Sequence, residues 1–353
     1  MSKPPLFIPS LDGLRAVSFL IVFVAHSGLE WIVPGGFGVT VFFFLSGFLI
    51  TTLMRLEHDK TGTVSLKGFY LRRVLRILPP FYLILLLANA LTLLRALPGD
   101  LGPGVVLAQV LHWSNYWFVL HGYDGAAAGT VVYWSLAVEE HFYLLFPLLY
   151  LLVRRLRLSG GEQGLAIWGL CAVVCAWRCL LVLRFGTAPS RTYLASDTRI
   201  DSILFGCALA VAMNPAIDPH RGHERLWKWV LLPGGLALLL FSFGYRAPWF
   251  RETLRYTLQG IGLTPVFVSA VRFPDWAPFR LLNAKRFAFI GVLSYSLYLV
   301  HHVALYGVDF TLPAMHPVLR SVLAFTISLV IAMTLYRFVE RPCARLRKRL
   351  GAA

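Results

Sequence analysis

Charge is what this sequence has least of. Lysine, arginine, aspartate and glutamate make up 14% of its 353 residues, against roughly 25% in a soluble domain. Acidic groups are the scarcer half, 17 against 33 basic. So little charge cannot coat a water-exposed surface, which excludes an ordinary soluble globular protein. Cysteine is sparse too. Cys171, Cys175, Cys179, Cys207 and Cys343 all sit in or beside apolar stretches, without the loop spacings of a disulfide-stapled scaffold. The first three recur at helical spacing, but no histidine or carboxylate stands near them, so they read as packing residues and no metal is expected. Internal repeats and linkers are missing, so a single domain over residues 1–353 is expected, with no appended soluble domain. A small-residue cleavage site is missing after the first apolar stretch, so no cleavable leader is expected.

What fills the chain instead is apolar: 58% of residues are hydrophobic and the mean hydropathy is +0.68. Ten stretches approach the ~20 residues that a bilayer core requires. They cover residues 13–31, 37–54, 79–97, 131–153, 164–185, 200–213, 227–245, 256–271, 287–308 and 318–338. Basic residues concentrate in alternate connections, among them Lys3, Arg154, Arg155, Arg157 and Arg221. Twenty-two fall on one side and five on the other. Such clustering follows the positive-inside rule and points to membrane lipid as a partner, not nucleic acid. The expected fold is therefore all-α: a polytopic bundle of about ten transmembrane helices, both termini cytoplasmic. Residues 105–118 are apolar as well, but counting them as a span would place Arg154 and Arg155 outside. They are expected to be re-entrant or interfacial, with Trp113, Tyr116 and Trp117 at the headgroups.

Ionisable groups inside such spans are costly and normally face a protein interior or wet cavity. Arg15 and His26 lie eleven residues apart in the first span. On a regular helix they share a face to within ~20° and stand ~16 Å apart along the axis. Either Arg15 snorkels and His26 is a satisfied core histidine, or the two line a polar site. Depth favours a site. Glu139 and Glu140 enter the fourth span from the side that His26 is near, and His301 and His302 lie ~21 Å up the ninth. Ser46 lies nearer the middle, beside Gly47, where a second backbone can approach. An imidazole oriented by a carboxylate is a competent general base. Glu140 is preferred as that carboxylate over Asp12, which a regular helix sets ~21 Å from His26. Arg72, Arg73 and Arg76 cluster at helical spacing near the cytoplasmic interface, either as lipid anchors or as a polyphosphate clamp. Asp197 to Asp201 reads as an ion-paired helix start or an acceptor mouth. Arg178 has no evident partner, and Glu340 is expected to pair with basic neighbours.

These fragments occur in a telling order. Ser10-Leu11-Asp12-Gly13-Leu14-Arg15-Ala16 precedes His26, then comes Phe42-Phe43-Phe44-Leu45-Ser46-Gly47-Phe48, then Arg73-Val74-Leu75-Arg76. Trp134-Ser135-Leu136 follows with Glu139-Glu140-His141-Phe142-Tyr143, and finally Tyr295-Ser296-Leu297-Tyr298-Leu299-Val300-His301. Over essentially its whole length the sequence resembles the membrane-bound acyltransferase-3 family, bacterial O-acyltransferases that modify sugars. The resemblance implies a ten-helix bundle in the bacterial inner membrane with cytoplasmic access for acyl-CoA. It also implies a catalytic histidine at His26, an essential arginine at Arg15 and an acyl-CoA role for Arg73 and Arg76. The expected reaction moves an acyl group, by default acetyl, from acyl-CoA to a hydroxyl of a carbohydrate, a lipid-linked sugar or a glycosylated metabolite. No permanently bound cofactor is required. His26 takes the hydroxyl proton, while Ser46, the Trp134 indole and Arg15 are candidate oxyanion donors. Direct transfer is preferred to an acyl-enzyme on Ser46, since no base is dedicated to that hydroxyl. Arg72, Glu139, Tyr143 and His301 join the expected substrate contacts. The rival expectation is a proton-coupled secondary transporter, because intramembrane Arg, His and Glu also build proton relays.

Overall fold

The computed structural model describes residues 8–156, 158–219 and 223–350; Lys3, Arg157 and Arg221 lie outside them. Helices account for the regular structure, and no strand occurs among the described residues. Eight helices are long and apolar enough to cross a membrane: Ser10–Leu29, Gly35–Thr61, Leu66–Leu93, Val131–Arg155, Gly160–Phe185, Glu224–Gly244, Lys285–Thr311 and Pro317–Arg349. The chain is a multi-pass membrane protein. The two other drawn spans are also helices. Asp201–Ala212 is 12 residues long, ~18 Å by its rise, and is buried from Asp201 to Val211, so protein rather than lipid surrounds it. Arg255–Arg272 has an arginine at each end.

Three boundaries differ from the sequence expectation for identifiable reasons. The first span is α-helical only to Val24 and continues as a π-type turn, Ala25–Leu29, broken at Ser27 and Gly28, where φ is 94°. The regular helix assumed to residue 31 therefore does not hold around His26. The third span begins at Leu66, not at 79, because Ser65 caps it by accepting from the Gly68 amide at 3.1 Å. It runs on through Pro79 and Pro80, so the arginines at 72, 73 and 76 stand on the helix itself. The apolar stretch 105–118 is cut by a corner at His112, with φ 53°. Two eight-residue helices result, Pro103–Val110 and Ser114–His121. Each is ~12 Å long, too short to span the ~30 Å hydrocarbon core.

The chain divides into two compact units. The first takes residues up to Val22, Pro34–Gly62 and Leu148–Val292. Its centre is a crossing of Gly35–Thr61 with Asp201–Ala212 at which the backbones touch. A Cβ on Gly47 would lie 2.0 Å from the Ile203 carbonyl oxygen, and one on Gly206 would lie 2.0 Å from that of Phe44. Where lipid competes for apolar contacts, such close approach through small residues supplies the packing. Arg178 and Asp201 form a fully buried pair at 2.7 Å. Arg178 donates further to the Thr198 and Thr253 carbonyls at 2.6 and 3.0 Å and to the Thr257 hydroxyl at 2.6 Å. The arginine without an evident partner thus ties three segments together. Asp197 pairs with Arg191 at 2.9 Å and accepts from the Trp177 indole at 2.7 Å, so the Asp197–Asp201 stretch is an ion-paired helix start. In a connection of this unit, Asp218 takes a two-pronged bond from Arg55 at 2.8 and 3.1 Å and one from the Asn214 amide at 2.7 Å. Burial pushes its pKa up, but these bonds outweigh that and hold it below the ordinary carboxylate value.

The second unit takes Phe23–Val33, Thr63–Pro147 and Leu293–Ala353. Within it the end of the short helix Pro103–Val110 and the corner at His112 meet Leu66–Leu93. The Tyr82 hydroxyl donates to the Val110 carbonyl at 2.9 Å, and the His112 ring tilts onto Phe81 at 4.5 Å. Tyr295 bonds the Ile77 carbonyl at 2.7 Å, less than a turn before Pro79 and Pro80, whose missing N–H groups interrupt that helix's own ladder.

Candidate active site

The second unit brings three histidines together. His301 and His302 are on the helix Lys285–Thr311, and His26 sits in the π-type turn. π-type turns displace a side chain from its regular heading and recur at functional positions. The His301 side chain is completely buried. Its Nδ1 is 2.8 Å from the Tyr298 carbonyl oxygen, which can only accept, so Nδ1 carries the hydrogen. The Nε2 of a neutral His301 is then a bare acceptor. It lies 2.9 Å from Nδ1 of His26, which must donate. By this chain of deductions His26 keeps an unprotonated Nε2, the electron pair a general base needs. His302 stacks on the His26 ring with centroids 4.4 Å apart at 23°. The rings stack instead of converging on a point, and no cluster of three or more His, Cys, Asp or Glu residues able to hold a metal occurs among the described residues.

The surroundings fix this arrangement. The Tyr298 hydroxyl reaches the Val132 carbonyl at 3.0 Å and lies 2.7 Å from the Ser135 hydroxyl, while Tyr133 donates to the Leu299 carbonyl at 2.8 Å. These bonds pin the start of the Trp134–Arg155 helix to the turn that holds His301. Gly129 presses on the same helix. Its φ is +81°, and a Cβ there would fall 2.4 Å from the Val303 nitrogen, so only glycine fits on both counts.

A second cluster surrounds the arginines. Arg73 lies over the Tyr143 ring at 5.4 Å and the Phe69 ring at 5.7 Å, within electrostatic reach of Glu140, Arg72 and Arg76. Arg76 is exposed and Arg72 half-buried. Glu340 accepts from the Ser296 hydroxyl at 2.5 Å and lies within electrostatic reach of Arg76.

The carboxylate expected to orient His26 does not do so. His26 is held by His301, and Glu140 neighbours Arg73. The reason is axial position: the stretch meeting the histidine helix is Val132 to Ser135, and Glu140 lies well over a turn further on. His301, expected as a substrate contact, is the hydrogen-bond partner of His26. Trp134 is buried at its helix start, and Glu139 is half-buried beside Glu140. Asp12, Arg15 and Ser46 belong to the first unit, where Arg15 pairs with Asp12 at 3.0 Å and Ser46 is half-buried on Gly35–Thr61. The roles of Tyr298 and Gly129 were not anticipated, and His302, expected at the depth of His26, stacks on it. The i, i+3 spacing of Tyr298 and His301 was the available signal for the first.

Residues 8–337 match the family model for the acyltransferase domain of the acyltransferase-3 family. The peptidoglycan O-acetyltransferase OatA of Listeria monocytogenes is 28% identical over 360 residues, which cover 95% of this chain and 56% of that protein. The O-acetyltransferase OatA of Staphylococcus aureus (strain NCTC 8325 / PS 47) is 29% identical over 358 residues, covering 96% of this chain and 57% of the relative. The chain thus spans a little over half the length of these relatives. No solved structure matches it.

Proposed function

We propose, from the premise that this chain belongs to the acyltransferase-3 family, that it is an integral-membrane O-acetyltransferase. The donor is acyl-CoA held by Arg73 and Arg76, and the acceptor is a hydroxyl of a cell-surface carbohydrate or a lipid-linked precursor. The observation that carries the reading is the bare Nε2 of His26, set by the hydrogen bonds through His301 to the Tyr298 carbonyl. In the reaction His26 Nε2 takes the proton of the acceptor hydroxyl as its oxygen attacks the thioester carbonyl. The tetrahedral intermediate collapses with rupture of the C–S bond, and the thiolate of CoA leaves with that proton. Between the two transfers His26 is an imidazolium. Its Nδ1–H bond to His301 then becomes charge-assisted and strengthens, which stabilises the transition state more than the ground state. The names of both relatives support acetyl as the group, and that of the Listeria relative supports a glycan as the acceptor.

The test compares cells with and without the protein by mass spectrometry of surface glycans and exported metabolites. An acetyl ester increment present with the wild type and lost with His26→Ala, at equal membrane abundance, is expected. Substrate flux across vesicles without consumption of acyl-CoA would overturn the reading in favour of transport.

A further inference from the structure

The helix Arg341–Arg349 holds five basic residues in nine, and the acyl-transfer scheme above uses none of them. At ~100° per residue, Arg341, Arg345, Lys348 and Arg349 fall within one arc of the helix, and Arg347 points about 150° from its centre. Those four are exposed, as cations facing a membrane surface should be, whereas Arg347 is half-buried. Its helix packs against Leu66–Leu93, and its charge falls in the field of Arg72 and Arg76. The Nε atoms of Arg347 and Arg73 are both enclosed without a hydrogen-bond partner. The carboxylates facing the cluster are Glu140, near Arg73, and Glu340, near Arg76; Glu340 is already engaged by Ser296.

Guanidinium groups repel one another, and inward-facing N–H groups left unmatched are costly. A multiply charged phosphate anion answers both, since arginine forks bind phosphate oxygens in paired, charge-assisted bonds. We propose that Arg347 is a further arm of a polyphosphate site whose other arms are Arg72, Arg73 and Arg76. The site holds the phosphates of the nucleotide portion of the acyl donor and fastens the C-terminal helix to Leu66–Leu93 when occupied. The inference rests on the acyl-CoA reading above.

The experiment titrates coenzyme A into the full chain in nanodiscs of phosphatidylcholine, and separately of phosphatidylglycerol, by calorimetry. Arg347→Ala is expected to weaken binding about tenfold or more, the loss of one charge-assisted contact. Arg347→Lys should recover part of this, and Arg345→Ala should stay within about twofold of wild type. Thermal unfolding of each variant verifies folding. If the wild type and Arg345→Ala bind coenzyme A and Arg347→Ala binds it equally well, the inference falls while the donor reading stands. If the wild type binds none in either lipid, both fall. If Arg347→Ala alters only the retention of phosphatidylglycerol, the cluster is a headgroup site and the inference is likewise overturned.

Discussion

Replacing His301 tests the acyl-transfer mechanism most sharply, because the substituted residue touches neither reacting atom. In His301→Ala the His26 Nδ1–H loses its acceptor at 2.9 Å, in surroundings where the His301 side chain was fully buried. The ground state is left with an unmatched donor, and the transition state loses a bond to an imidazolium, worth ~1.5–3 kcal/mol. Because the ground state loses a neutral bond worth ~0.5–1.5 kcal/mol, only the excess of ~1–1.5 kcal/mol slows the step. At about 1.4 kcal/mol per decade this is a fall of roughly 5- to 12-fold in kcat, with KM for acetyl-CoA little changed. Two further variants separate orientation from bulk. The Gln carbonyl of His301→Gln can reach the place of Nε2 and accept from His26, so activity should recover in part. The Asn amide of His301→Asn can reach only the place of Nδ1, so it keeps the bond to the Tyr298 carbonyl and leaves His26 unheld; activity should stay low. The assay is the initial rate of radiolabelled acetyl transfer from acetyl-CoA into endogenous glycan in inverted membrane vesicles, normalised to protein abundance. Equal rates for wild type, Asn and Ala at saturating donor would refute the assignment of the proton positions.

Gly129→Ala should impair both folding and turnover, because it combines a positive φ with a Cβ set only 2.4 Å from the Val303 nitrogen on the histidine helix. Gly186→Ala, left-handed with φ +60° and ψ +33° but with open space around it, should cost only the ~1–2 kcal/mol of a left-handed residue, and comparing the two melting temperatures checks this. Arg178→Met strands the Asp201 carboxylate in the first unit's core and is expected to cost ~3–5 kcal/mol. Adding Asp201→Asn should return part of that in a thermal melt, and a double variant no more stable than the single one would argue against the pair. Because the pKa of Asp218 is depressed in the folded protein, its bonds to Arg55 and Asn214 contribute stability that is fully present above the unfolded value of about 3.9 and is lost as pH falls through the folded value. Asp218→Asn should flatten this acid limb of the stability–pH curve, and an unchanged limb would count against it.

The spans were legible because hydropathy over twenty residues is a bulk property that tertiary context rarely overturns, and eight of the drawn segments are helices long enough to cross. Counting rise along the first and ninth spans also put His26 and His301 at one depth. What could not be read was rotation and local departure from regularity. Glu140 was assigned to His26 from depth alone, although small axial and angular differences decide which neighbour a side chain meets. The turn at Ala25–Leu29 left only Ser27-Gly28 as a trace in the sequence. Hydropathy put the start of the third span at 79, whereas Ser65 supplies the actual cap. Arg178 and Asp201 are 23 residues apart, so no spacing rule joins them.

The imidazole pair ends on a peptide oxygen, not on an acid. An amide carbonyl does not titrate, and it survives replacement of the Tyr298 side chain. The polarity of the proton wire is therefore written into main-chain geometry. Divergence at position 298 can leave that polarity intact, whereas unwinding one turn beneath His301 would erase it with every side chain still in place.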